Sequence, residues 1–147
     1  MDGYFMGLAL AQAEKAQALG EVPVGCVIVK DGAVIGEGYN RRETDKTVLG
    51  HAELMAMKQA EAAIGDWRLT DCTLYVTLEP CPMCAGAIIN ARIPWVYYGA
   101  RDREMGACGG VLNLFMERFP HRPALVGGIL AEECREVLSE FFRGLRK

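Results

Sequence analysis

The chain has 147 residues, of which 51% are hydrophobic and 24% are charged, and its formal net charge is −3. We expect one globular domain over residues 1–147, because this length can bury a sizeable core and no linker or repeat interrupts it. The acidic balance argues against nucleic-acid binding driven by bulk charge, and no apolar run approaches the ~20 residues of a membrane span. Six cysteines, and no basic leader in residues 1–5, favour the reducing cytoplasm as the location.

The first half of the chain predicts two helices separated by a β-hairpin. Gly20 follows an apolar pattern at helical spacing, and glycine commonly ends helices. Asp31-Gly32 lies between two apolar runs and is typical of a two-residue hairpin turn. The predicted elements are a helix over 3–19, strands over 24–30 and 34–39, and a helix over 51–63.

The second half alternates strands with helices, and a glycine-rich loop at 106–110 interrupts it. The predicted elements are a strand over 73–78, a helix over 82–91, a strand over 95–99, a short helical piece over 112–116, a weak strand over 123–126 and a last helix over 130–144. A hairpin followed by this alternation predicts an α/β fold, in which a mixed sheet has helices on both faces.

Two short motifs hold the residue types of a zinc site. His51-Ala52-Glu53 supplies an imidazole, and Pro80-Cys81-Pro82-Met83-Cys84 supplies two thiols three residues apart. Residues at i and i+3 share a helix face, and a helix N-terminus stabilises the negative charge of thiolates. Three protein ligands leave one tetrahedral position open, as in catalytic zinc sites. We therefore predict one Zn²⁺ per chain, held by His51, Cys81 and Cys84.

Glu53 is the predicted proton shuttle. Zinc lowers the pKa of a bound water from about 16 to about 7, and the hydroxide can attack an electron-poor ring carbon that carries an exocyclic amine. Ammonia leaves poorly unless it is protonated, so the reaction needs a group that takes the proton from water and delivers it to the ring nitrogen and the amine. A carboxylate close to the metal can do this, provided that it is not itself a ligand.

The same residue types allow other interpretations. A lone Cys-x-x-Cys pair can be a redox motif, and the two motifs need not meet in space. A structural zinc site would need a fourth ligand. The candidates for that ligand are Cys26, Cys72, Cys108, Cys134 and His121. Cys26, Cys72 and Cys134 lie in apolar patterns and are more simply interpreted as small core residues.

Nearly end to end, the chain resembles the bacterial tRNA-specific adenosine deaminases of the cytidine deaminase-like superfamily. The resemblance rests on residues 20–25, 36–40, 51–53, 67–69, 74–87 and 99–102, with a family-like tail at 128–134 and 141–143. It implies a three-layer α/β/α fold with a mixed five-stranded sheet, and a homodimer. It also implies hydrolytic conversion of the wobble adenosine in a tRNA anticodon loop to inosine. A loop target suits a buried metal, because its unstacked bases can be splayed into a pocket at little cost.

The resemblance assigns further roles around the target base. It implies that Asn40 hydrogen-bonds the base edge, that Val24 and Leu78 line the base pocket, and that the backbone amide of Ala52 meets the exocyclic or carbonyl group. A turn residue is the alternative interpretation of Asn40.

The resemblance also assigns three contacts with the RNA outside the base. It implies that Asp102 touches a ribose or the backbone, and that Phe142 and Arg143 contact loop nucleotides. A loop cap is the alternative for Asp102, and a core position is the alternative for Phe142.

Two other functions are compatible with these residues. A metabolic deaminase of a free base or nucleoside, such as guanine, cytosine or cytidine, needs the same zinc site but no basic surface, which suits the net charge of −3. A non-catalytic partner subunit would bind zinc and RNA without chemistry. Such subunits typically lack the glutamate, whereas Glu53 is present here.

Overall fold

A computed structural model describes residues 1–145. The strands are β1 (Gly25–Lys30), β2 (Ala33–Tyr39), β3 (Cys72–Leu78), β4 (Trp95–Ala100) and β5 (Ala124–Val126). The helices are α1 (Asp2–Ala18), α2 (Arg42–Asp45), α3 (Ala52–Ile64), α4 (Pro82–Ala91) and α5 (Ala131–Leu145), with a 3₁₀ turn at Leu114–Met116. Within the described residues, no helix combines the length and the apolarity needed to cross a membrane.

The five strands form one mixed sheet in the order β2-β1-β3-β4-β5. β1 runs antiparallel to both β2 and β3, whereas β3, β4 and β5 are parallel. Asp31 and Gly32 both have positive φ angles, 51° and 78°, as a two-residue hairpin turn of type I′ requires. The predicted hairpin and mixed sheet are confirmed.

Helices cover both faces of the sheet, which confirms the three-layer α/β/α arrangement. Successive strand residues point to opposite faces, so Ile28 packs in the core under α3 and α4 while Val27 packs in the core under α1 and α5. In β3, Leu74 and Tyr75 divide between the same two cores.

Helix α3 lies unusually close to β2. A Cβ atom on Gly36 would overlap the carbonyl oxygen of Ala56, and one on Gly38 would overlap that of Ala52. Only glycine leaves room for this approach. Since His51 and Glu53 stand at the start of α3, the two glycines help to fix the height of that helix end above the sheet.

The predicted elements are all present, and their bounds agree with the structure to within one residue, except that the 3₁₀ turn begins two residues later than predicted. The short helix α2 was not predicted. The buried carboxylate of Glu21 accepts hydrogen bonds from the backbone N–H groups of Glu43 (3.2 Å) and Thr44 (2.6 Å), and from the Thr44 hydroxyl (2.6 Å). These contacts span more than 20 residues of chain, so no local pattern indicates the helix.

Candidate active site

Two helix N-termini deliver the predicted metal ligands. His51 is the N-cap of α3 and Cys81 is the N-cap of α4, and both have extended backbone angles. Pro82 occupies the first turn of α4, where its missing N–H costs nothing, and Cys84 follows in the same turn. The two motifs therefore meet in space, through two strand-to-helix connections on one face of the sheet.

The donor atoms have the spacing that zinc requires. Nδ1 of His51 lies 3.6 Å from Sγ of Cys81 and 3.5 Å from Sγ of Cys84. Tetrahedral zinc, with Zn–S of about 2.3 Å and Zn–N of about 2.0–2.1 Å, places such donors about 3.5 Å apart. All three donor atoms lie within 4.8 Å of one another, so the residues fit a zinc ion.

His51, Cys81 and Cys84 form a trio of potential metal ligands. Within residues 1–145, it is the single group of three or more His, Cys, Asp or Glu side chains whose donor atoms come together. No fourth ligand joins it there, which argues against a closed structural site. Nε2 of His121 is 2.7 Å from the carbonyl oxygen of Ile93, in the connection between α4 and β4. Cys26, Cys72 and Cys134 are buried core residues, as expected, and Cys108 is buried as well.

The protein's own groups already favour one thiolate at this site. Hydrogen bonding to the Cys84 thiol, helped by His51, lowers the pKa of Cys81 to about 4 although burial opposes ionisation. The neighbouring Cys81, together with burial, raises the pKa of Cys84. A cation would be needed for both sulfurs to be thiolates at once.

Glu53 lies beside these donors and is only 4% exposed. Burial raises the pKa of its carboxyl to about 7, against a smaller opposing effect of a backbone hydrogen bond. A carboxyl group whose pKa is close to 7 can both accept and release a proton at neutral pH. It does not belong to the donor trio, as a proton carrier requires.

A cavity of about 500 Å³ opens above the donors. Many of the predicted residues line this cavity. His51, Glu53 and Cys81 form its polar floor. Its lining also includes five of the residues that the family resemblance assigns to substrate: Val24, Asn40, Ala52, Leu78 and Asp102.

Asn40 is held in a turn at the edge of the cavity. Its Nδ2 donates to the carbonyl oxygen of Val22 (3.1 Å), and its Oδ1 accepts from the backbone N–H of Arg42 (3.1 Å). It is thus a turn residue whose amide is held in one orientation at the cavity wall. Each of its two polar atoms keeps capacity for one further hydrogen bond.

Asp102 is a loop cap that also lines the cavity. Its Oδ1 accepts from the backbone N–H groups of Glu104 (3.0 Å) and Met105 (3.2 Å). Phe142 and Arg143 are not brought to the cavity within this chain. Phe142 is 45% exposed on α5 and packs edge-on against Phe141, so it is not a core residue. Nη2 of Arg143 lies 3.7 Å from Oε1 of Glu136.

Sequence patterns alone did not indicate several residues around the cavity. Arg42, the first residue of α2, and Val48 line one side, and Met105 lines the other. Glu21 and Glu79, each 2% exposed, bind the backbone of these two sides. The only local signal was a carboxylate next to an apolar strand, because the groups that it binds lie far along the chain.

The fold and site are those of a deaminase: the sequence matches the MafB19-like deaminase family over residues 2–146. It is 48% identical over 147 residues to the tRNA-specific adenosine deaminase of Bacillus subtilis, an alignment that covers 99% of this chain and 91% of that protein. The chain therefore belongs to the tRNA-specific adenosine deaminase family.

Solved structures show the same fold. A structure from work on A-to-I editing by tRNA A34 deaminases superposes with a TM-score of 0.89 at 43% identity, covering 92% of this chain and 99% of that one. The guanine deaminase of Bacillus subtilis superposes with a TM-score of 0.65 at 39% identity, covering 82% of this chain and 77% of that one.

Proposed function

We propose that this protein deaminates the wobble adenosine of a tRNA anticodon loop to inosine by hydrolysis, at one zinc ion per chain. One observation carries the chemistry: His51, Cys81 and the buried Glu53 share the floor of a cavity large enough for a base. Family membership supports the substrate, since relatives of nearly full coverage are tRNA-specific adenosine deaminases.

In this proposal, His51, Cys81 and Cys84 hold the zinc ion. When bound, zinc supplies a water with a pKa of about 7 at the cavity floor. Glu53 would receive a proton from water on a carboxylate oxygen and pass it to N1 of the adenine ring, while the water oxygen bonds to C6. It would then move the proton of the new C6 hydroxyl to the exocyclic nitrogen, so that the C6–N bond breaks and ammonia leaves inosine behind.

The cavity wall orients the base for this proton transfer. Val24 and Leu78 offer apolar surface to the two sides of a flat ring, and Asn40 offers a fixed donor and acceptor to its edge. The N–H of Ala52 is in the first helical turn, where amides lack partners within the helix and can meet a polar group of the substrate. Each of these roles is a proposal for this chain.

The proposal extends to the partners and the location. A base reaches the floor only if it is splayed out of its stack, which a single-stranded loop allows. Asp102, Phe142 and Arg143 are proposed to contact the RNA around that base. A homodimer in the cytoplasm is proposed from the family resemblance, and one deaminase domain over residues 1–147 stays a prediction.

A homodimer has one feature of the surface in its favour. A groove of about 440 Å³ is lined by Leu54, Met57 and Ala87 of α3 and α4 and by Trp67, which is 48% exposed. Multi-angle light scattering of the purified protein tests this proposal. A mass of one chain at micromolar concentration would contradict it.

The substrate is tested with the purified zinc-loaded protein and mass spectrometry. The candidates are an anticodon stem-loop with adenosine at the wobble position, the same stem-loop with guanosine there, and free adenosine, guanine, cytosine and cytidine. We expect inosine only in the adenosine stem-loop. Glu53→Ala protein serves as the background control.

The second candidate function is deamination of a free base. The 39% identity to a guanine deaminase favours guanine among the free bases. Turnover of guanine with the stem-loop unchanged would contradict the RNA proposal and keep the chemistry. Absence of turnover for every substrate by zinc-loaded protein would contradict both.

A further inference from the structure

Glu79 is a buried carboxylate that the chemistry does not use. It directly follows β3, two residues before Cys81, and is 2% exposed. Its Oε1 accepts a hydrogen bond from the N–H of Asp102 (3.1 Å). Its Oε2 accepts from the N–H groups of Cys108 (2.9 Å) and Gly110 (2.8 Å). Three backbone donors from one loop, 23 to 31 residues away, thus converge on one side chain.

The loop over residues 102–110 is packed tightly around this carboxylate. A Cβ atom on Gly106 would overlap both Oε2 of Glu79 and the carbonyl oxygen of Asp102. A Cβ atom on Gly110 would overlap the same carbonyl oxygen and lie 2.9 Å from Oε1 of Glu79. The two glycines let the loop backbone approach the side chain closely enough for all three hydrogen bonds.

The 102–110 loop is one wall of the cavity. Asp102 and Met105 line it, and the cap that Asp102 forms with the N–H of Met105 links the two residues. A shift of the Asp102 backbone would therefore move Met105 as well. The position of this wall depends on the three hydrogen bonds to Glu79.

We infer that Glu79 is a positioning residue, which holds the 102–110 loop against the bound substrate and thereby sets substrate affinity. Glu79 also lines the cavity, but both of its oxygens accept hydrogen bonds from backbone N–H groups, so it acts through the wall and not on the reacting atoms. The inference rests on the proposed function for the identity of the substrate. It adds a specificity element outside the metal ligands and Glu53.

Glu79→Gln is the sharpest test, because glutamine has the same size but only one acceptor oxygen. Its NH₂ group must face either the N–H of Asp102 or the N–H pair of Cys108 and Gly110. We expect KM for the substrate to rise roughly tenfold, as the loss of a buried hydrogen bond allows, with kcat changed less than about threefold. Zinc content should stay at about one per chain.

Tyr75→Phe is the matched control. It removes one part-buried hydrogen bond, from the Tyr75 hydroxyl to Oδ1 of Asp2 (2.9 Å), in the core on the opposite face of the sheet. A general loss of stability would affect both variants, whereas a rise in KM should appear only in Glu79→Gln. Equal KM values in the two variants would overturn the inference, as would a fall in kcat with unchanged KM.

Amide hydrogen exchange tests the inference without a substrate. The N–H groups of Asp102, Cys108 and Gly110 should be protected together in the wild-type protein, and those that lose their acceptor should exchange at least ~10-fold faster in Glu79→Gln. Rapid exchange of these amides in the wild-type protein would overturn the inference. If the stem-loop is not deaminated but a free base is, the proposed substrate fails, and the same comparison of KM and kcat is made with that base.

Discussion

The floor and the walls of the cavity are built in different ways. The floor is formed at the starts of α3 and α4. His51 and Glu53 lie close together in the sequence at one start, and Cys81 and Cys84 at the other. The walls include α2 on one side and the 102–110 loop on the other, and their backbones bind the buried carboxylates of Glu21 and Glu79 respectively. Chemistry is therefore encoded in short local motifs, whereas the shape that selects a substrate depends on contacts between distant parts of the chain.

The largest expected effect is removal of a floor ligand. Cys84→Ala leaves two donors, so we expect zinc to fall from about one per chain towards zero and deamination to be lost. Metal analysis by mass spectrometry and a thermal melt measure this, and the melting temperature should fall because metal binding is coupled to folding. An active variant without metal would contradict the proposed mechanism.

Removal of the proton carrier should have the next largest effect. Glu53→Ala should lower turnover by at least ~100-fold, the lower end of general acid–base contributions, while zinc content and fold are retained. Turnover and metal content are measured on the same preparation. Near-normal turnover would exclude Glu53 from the proposed role.

A wall substitution should alter affinity and stability more than chemistry. Arg42 and Val48 lie on the wall that Glu21 holds, so Glu21→Gln should raise KM for the substrate. Proton transfer by Glu53, and with it kcat, should change less. At pH 7 we expect the variant to lose about 1–3 kcal/mol of unfolding free energy, as for other buried unsatisfied groups. Chemical denaturation measures this, and a fall in kcat alone would argue against the comparison of floor and walls.

The stability that Glu21 contributes should depend on pH. Burial raises the pKa of its carboxyl, but the hydrogen bonds from Thr44 and Glu43 outweigh burial and lower the pKa below the usual 4.5. A lowered folded-state pKa gives stability that is fully present above about pH 4.5 and lost as the pH falls through the folded-state value. The stability difference between wild type and Glu21→Gln should narrow in acid; a constant difference would contradict this.

The smallest expected effect lies outside both floor and walls. Phe142→Ala should raise KM for the stem-loop roughly fivefold, the lower end of base–aromatic stacking, and leave kcat unchanged. Leu145→Ala, which removes another exposed apolar side chain from α5, is the control. Equal KM values for the two variants would remove Phe142 from the RNA contacts.

The contrast between floor and walls also explains what the sequence could reveal. Helix α4 was predicted over 82–91 and begins and ends there, because its proline, thiols and apolar run lie next to one another. The proposed zinc ligands and Glu53 were predicted for the same reason. The family resemblance selected Val24, Asn40, Ala52, Leu78 and Asp102, and all five line the cavity.

What could not be predicted depends on distant contacts. Helix α2 has only four residues, and its hydrogen bonds to Glu21 join groups 22 and 23 residues apart in the chain. Glu79 was part of a recognised motif, yet its partners begin 23 residues later, in a loop whose glycines indicate a bend but not what it bends around. Local periodicity carries no information about such pairs.

The close approach of α3 to Gly36 and Gly38 has a consequence for protein engineering. A methyl group at either position would push α3 away from β2 and carry the imidazole of His51 out of register with the two sulfurs. Libraries that alter substrate choice should therefore leave this part of β2 unchanged, although neither glycine belongs to the donor trio or the cavity lining. Random variation is better directed at Arg42, Val48 and Met105, whose side chains line the cavity walls.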